Sequence, residues 1–278
     1  MNEVESYFQD VAPRGSSLYY SLLKVASPKR EMILAINAFY KVLHDMRLAA
    51  REPEVAKAKW QWWRQEISRL NSGRASHPLV IYLQEQLPLY NLDAQAFLDL
   101  IDAMETYLHE MISLSDVVLQ AERTVGLRDA MIAKLLMPNQ AVPDAITKMA
   151  VSVEWITQLQ NLHAYVQQGW IIFTEEELTA HGVKSEAFSL FRTTAPIRAL
   201  LKARGEKAKV LQGEAYASLN KADRKVYLPL ILRSRLSEAM LHEIALSDYA
   251  VLEQHIRLTP LRTLFLTAKM LAANLIQI

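Results

Sequence analysis

Seven glycines in 278 residues leave this chain few places to turn sharply. Sheets and phosphate-cradling loops use glycine where the backbone must take a positive φ, so the scarcity predicts helices joined by short connections. The apolar pattern agrees. Met32, Ile33, Ile36, Phe39, Tyr40 and Leu43 recur at three- and four-residue spacing, as do Phe97, Leu98, Ile101, Met104 and Leu108. Proline marks the joints. Pro28 opens a helix over 29–50 and Pro53 follows its end, Pro78 and Pro88 bracket a short segment, and Pro138 and Pro143 separate two helices. Pro260, after Thr259 as N-cap, starts a final amphipathic helix, "LRTLFLTAKMLAANLI". No stretch sustains period-two alternation, and no repeat or linker divides the chain. The prediction is an all-α, single-domain bundle over 1–278.

Several chemistries are excluded by what is missing. With no cysteine, a disulfide framework, a thiolate metal site and a cysteine nucleophile are all ruled out. Neither G-x-x-x-x-G-K-[ST] nor G-x-G-x-x-G occurs, nor H-E-x-x-H, a nucleophile elbow or the paired Glu-x-x-His motifs of di-iron bundles. The start "MNEVESYFQD" lacks a basic opening and an apolar run, and no apolar stretch reaches the roughly 18 residues that span a bilayer. The expectation is a cytoplasmic protein, able at most to lie on the inner face of a membrane.

Formal net charge is +1, but between Lys184 and Arg235 twelve Lys/Arg face four Asp/Glu. A surface this basic suits anionic lipid or an acidic partner. Aromatic residues are not interleaved with the charges, so a nucleic-acid platform is not expected. The simpler reading is a solvated surface that balances an acidic remainder. The final helix carries Leu261, Leu264, Phe265, Ala268, Leu271 and Leu275 on one side, with Arg262 and Lys269 elsewhere. That side either closes the bundle, the favoured reading for a C-terminal helix, or rests on lipid together with the basic region.

Four segments, in order, resemble the squalene/phytoene synthase family: "SSLYYSLLKVASPKREMILAINAFYKVLHDM", "AKWQWWRQEI", "QAERTVG" and "QLQNLHAYVQQGWIIFTEEEL". The resemblance implies an isoprenoid synthase fold, with helices around a central apolar cavity. Active members join two prenyl diphosphates head to head, and carboxylates of two aspartate clusters hold the Mg²⁺ that offsets the diphosphate charge. In this chain the first cluster reads His44, Asp45, Met46, Arg47, Leu48. The positions that the family turns inward are therefore His44 and Leu48, and Asp45 lies about 100° around the helix. The second cluster keeps Gln158 and Asn161 but has Tyr165 in place of an aspartate. Asn37 and Lys41, on the same helix as His44, complete the set of degenerate motif and cavity positions. No catalytic residue and no metal ligand is assigned.

Two other groups carry candidate chemistry. His44 could join Asn161 and Tyr165 in a metal or acid/base site, although a lone histidine inside a bundle is more often packing. Asp99, Asp102, Glu105 and His109 follow one another at helical spacing and read as a solvated face. The expected function is a non-catalytic, lipid-binding or assembly-type protein without a cofactor. Its "IIFTEEELTAHGV" and "YLPLIL" resemble a non-catalytic branch of the family that assembles respiratory complex I, which implies a prenyl or other lipid ligand and a membrane-associated protein partner. The alternative is a divergent Mg²⁺-dependent farnesyl or geranylgeranyl diphosphate transferase.

Overall fold

The helix starts follow the prolines and the capping hydroxyls. The computed structural model describes residues 3–49, 52–109 and 117–276; among them every regular element is a helix, with no strand. α1 (Glu3–Val11) leads into the short α2 (Ser17–Ser21), whose first turn is capped by Ser16 Oγ accepting from the Tyr19 N–H at 3.1 Å. Then come the long α3 (Ser27–Ala49), α4 (Pro53–Ser68) and α5 (Pro78–Tyr90). Pro88 does not bound α5. It lies inside the helix, which ends only where Asn91 takes a left-handed φ of 52°.

α6 (Gln95–His109) and α7 (Val117–Ala121) lead to a π-helical turn at Glu122–Gly126, then α8 (Leu127–Leu136), α9 (Asp144–Gln160), α10 (Leu162–Gln167) and α11 (Glu175–Ala180). α12 (Ala195–Ser218), α13 (Lys221–Val226), α14 (Leu228–Leu246) and α15 (Pro260–Ile276) complete the chain. α9 is the central rod, packed against α8, α12, α14 and the π turn. Gly126 makes the last contact possible, because a Cβ there would stand 2.8 Å from Thr147 Cγ2.

The buried apolar residues form two clusters. One gathers α3 to α6 and α8, with Met32, Phe39, Trp60, Trp63 and Phe97; the other gathers the far ends of α9, α12 and α14, with Trp155, Phe173, Phe188 and Ile244. Trp60 and Trp63, one turn apart, face inward, while Trp62 is 42% exposed. Between the clusters lies a polar seam of Asn37, Arg128, Asp129, Ser152, Gln212, Arg233 and Ser234, all buried, and Tyr40 packs against both sides of it.

Two expectations are reversed at the surface. The first two turns of the last helix's apolar side do not close the bundle: Leu261 is 79% exposed, Phe265 67% and Leu264 41%, while Thr263 and Thr267 face inward at 1% each; Leu271 is half-buried, and the side chain of Leu275 lies outside the described residues. The threonines tolerate burial because their hydroxyls donate to Thr259 O and Thr263 O, one turn back on their own helix. The basic third is also less superficial than its count implies. Arg204 and Arg233 are buried, ion-paired with Glu177 and Asp129.

Candidate functional site

His44 projects from α3 toward the interior, where its ring stacks on Tyr40 with centroids 6.0 Å apart. Its Nε2 lies 3.4 Å from the hydroxyl of Tyr165 on α10, a long hydrogen bond across the bundle. Asp45, one residue on, faces out, pairs with Lys41, and stands beside Asp10 through that same lysine, whose Nζ is 3.2 Å from the Asp10 carboxylate. Partial burial works against the ionised Asp45, but hydrogen bonds from His44 and Lys41 prevail and hold it below the usual carboxylate range. Leu48 packs on the second apolar cluster.

The remaining predicted positions are bonded within their own helices. Asn37 Nδ2 donates to Ile33 O at 2.8 Å, Gln158 Nε2 to Glu154 at 3.1 Å and Asn161 Nδ2 to Thr157 O at 3.0 Å. Thus the structure brings His44 and Tyr165 together, ties Lys41 to Asp45 outside, and leaves the three amides reinforcing α3 and α9. His163 turns elsewhere, to the backbone oxygen of Leu252. On α6, Asp99 and Asp102 are exposed, and Arg64 of α4 bridges Asp102 to Glu105. The side chain of His109 lies outside the described residues.

Next to His44 the interior is lined by arginine. Arg47, buried, sets its guanidinium 5.6 Å from the Trp170 ring centroid. Arg128 stands 4.6 Å from the Tyr40 ring and donates from Nε to Asp129 at 2.9 Å. From α14, Arg233 donates to the other oxygen of the same carboxylate. Burial, with Arg128 nearby, lowers Arg233 to about 10, so it stays charged at neutral pH. Burial, reinforced by Glu154, raises the Tyr40 phenol above its ordinary value, so it stays protonated. These arginines were not singled out from the sequence. Their signal was arginine set inside an otherwise apolar run, as in "YLPLILRSRL" and "GLRDAMIAKLL".

Magnesium asks for several hard oxygens in near-octahedral array. Among the described residues no three of His, Cys, Asp and Glu converge as metal ligands. The nearest interior carboxylates are engaged: Asp129 by two arginines, Glu154 by Gln158. A divalent cation placed here would also meet the field of Arg47, Arg128 and Arg233. The described residues around His44 do not fit a magnesium–diphosphate site.

The profile of the family described as squalene/phytoene synthase matches residues 11–262. The chain belongs to the squalene/phytoene synthase family. Among curated relatives, a presqualene diphosphate synthase of Rhodopseudomonas palustris is 32% identical over 91 residues, which are 33% of this chain and 32% of that protein. The chloroplastic phytoene synthase 1 of Arabidopsis thaliana is 21% identical over 247 residues, 86% of this chain but 58% of that protein. The chain thus spans less than two thirds of the length of either. Among solved structures, a dehydrosqualene synthase in complex with ligand superposes with a TM-score of 0.81 at 15% identity, covering 97% of this chain and 95% of that one. Squalene synthase HpnC from Alicyclobacillus acidocaldarius superposes at 0.70 with 17% identity, over 89% and 96% of the two chains. At such identities the superpositions speak for the isoprenoid synthase fold, and the all-α bundle expected from the sequence is the one found.

Proposed function

We propose that this member of the squalene/phytoene synthase family performs no magnesium-assisted ionisation of prenyl diphosphates and acts instead as a non-catalytic lipid-binding protein at a membrane surface. One observation carries the reading. Where carboxylates and Mg²⁺ would have to gather, the interior offers His44 bonded to Tyr165, and a seam in which Arg128 and Arg233 share Asp129. Ionising a prenyl diphosphate needs the departing negative charge to be drawn off by a metal held on hard oxygens. Here the carboxylate closest to the first-cluster position, Asp45, is turned to solvent and neutralised by Lys41. Of the two roles weighed from the sequence, lipid binding and assembly of a membrane-bound partner, the outward apolar side of α15 supports the first.

The test is a paired assay on the purified chain. With Mg²⁺ and farnesyl or geranylgeranyl diphosphate, no diphosphate and no head-to-head product should be released. Titration with farnesol or geranylgeraniol should give binding that is indifferent to Mg²⁺. Metal-dependent turnover that Asp45→Ala abolishes would overturn the proposal and restore the transferase reading.

A further inference from the structure

An amphipathic helix normally docks through its apolar face, because that burial supplies most of its stability. α15 does the opposite. Its most buried residues are Thr263 and Thr267, with Leu266, Met270 and Leu271 half-buried, while its outward side is Leu261, Leu264, Phe265 and Ala268, a stripe at three- and four-residue spacing. Exposed Leu and Phe at this density along roughly two turns call for an apolar environment outside the chain.

The charges around the stripe identify that environment. After Glu253 the chain has no acidic residue, while Arg257, Arg262 and Lys269 are cationic. Arg262 is offset by Glu243, but Arg257 and Lys269 are exposed, and α15 itself carries no carboxylate. Of the two helices α15 packs on, α14 supplies Glu243, while the α2 side continues the cationic pattern. α2 passes into Leu23, 41% exposed, and the exposed Lys24, and the exposed Arg14 precedes Gly15, which sits against Pro260. Two copies of this face set together would oppose cations with no acid on either helix, which disfavours a self-association surface. A bilayer bearing anionic headgroups satisfies both requirements, taking the stripe into its interface and the cations among its phosphates.

We infer that α15 is a membrane-docking helix that lays Leu261, Leu264 and Phe265 into the surface of an anionic bilayer. This rests on, and makes specific, the membrane part of the proposed function. It also moves the contact away from α12, whose Arg204 is internal.

Vesicle flotation tests the inference on the full chain, with phosphatidylcholine vesicles and with phosphatidylcholine–phosphatidylglycerol vesicles. Wild type should float with the anionic vesicles at low salt. The triple variant L261S/L264S/F265S should lose on the order of 100-fold in partitioning. These side chains are solvent-facing, so its circular dichroism and melting temperature should match wild type. Arg257→Gln with Lys269→Gln should weaken binding and flatten its salt dependence. If wild type floats and the triple variant floats equally well, α15 is the wrong surface while the membrane reading stands. If wild type does not float at all, both fail. A wild-type dimer that the triple variant converts to monomer would assign the stripe to a second copy and overturn the inference.

Discussion

Arg233 of α14 and Arg128 of α8 grip opposite oxygens of one carboxylate, Asp129, at the middle of the bundle. Removing that carboxylate leaves two buried guanidiniums without a counter-charge, the costly way to break such a group. Asp129→Ala is expected to lose about 3–5 kcal/mol of stability in urea denaturation. A loss below about 1 kcal/mol would mean that the seam is hydrated and its charges are screened.

The carboxylate of Glu66, fully buried, anchors the turn after α4 by accepting the backbone N–H groups of Ser76 and His77 and pairing with Arg69. Burial alone would raise its pKa, yet those hydrogen bonds win and hold it below the ordinary carboxyl value. A carboxyl lowered on folding stabilises the native state above its unfolded pKa, and that stability fades as pH falls through the folded pKa. Glu66→Gln should therefore cost about 1.5–3 kcal/mol near neutrality, and its melting temperature should converge with that of wild type in acid. Parallel melting curves down to acid would contradict the assignment.

Cations of the basic third should divide sharply. Arg204, 2% exposed, bonds to Glu177 and lies 5.2–5.3 Å from the rings of Phe173 and Trp155, whereas Lys202, Lys207 and Lys209 are exposed. Arg204→Ala is expected to destabilise by about 3–5 kcal/mol, and Lys202→Ala or Lys209→Ala by less than about 0.5 kcal/mol. Thermal denaturation of the three variants decides it.

Gly126 should admit no side chain. Gly126→Ala places a methyl 2.8 Å from Thr147 Cγ2 and is expected to cost about 1–3 kcal/mol through overpacking. Thr147→Ser removes the opposing methyl, so the double variant should recover most of the loss. A double-mutant cycle with no coupling would show that the backbone, not the methyl contact, sets the requirement.

Fold class and most helix starts were legible because proline, capping residues and 3.6-residue periodicity act locally, although Pro88, read as a boundary, lies inside α5. The site was legible only in part. The family resemblance set His44 inward, and helical spacing then set Asp45 away from it, since the angle between neighbours on a helix is fixed. The arginine pair of the seam escaped because it is assembled from α8 and α14, and no local pattern announces which buried cation will find a shared carboxylate. The direction of α15 escaped for a related reason. A hydrophobic stripe reports that a face avoids water, not whether protein or something outside the protein will cover it.

The seam has a consequence for how the chain unfolds. Two apolar clusters separated by polar groups could melt as independent units, but α9, α12 and α14 each contribute to both. Ile146 and Ile156, Ala215 and Leu201, Ile231 and Ile244 sit on the same three rods in opposite clusters. Opening either cluster therefore frays helices on which the other depends, and the free energies of the two become linked. Denaturant unfolding followed by tryptophan fluorescence, which reports Trp60 and Trp63 in one cluster and Trp155 in the other, should coincide with the loss of helix in a single cooperative transition.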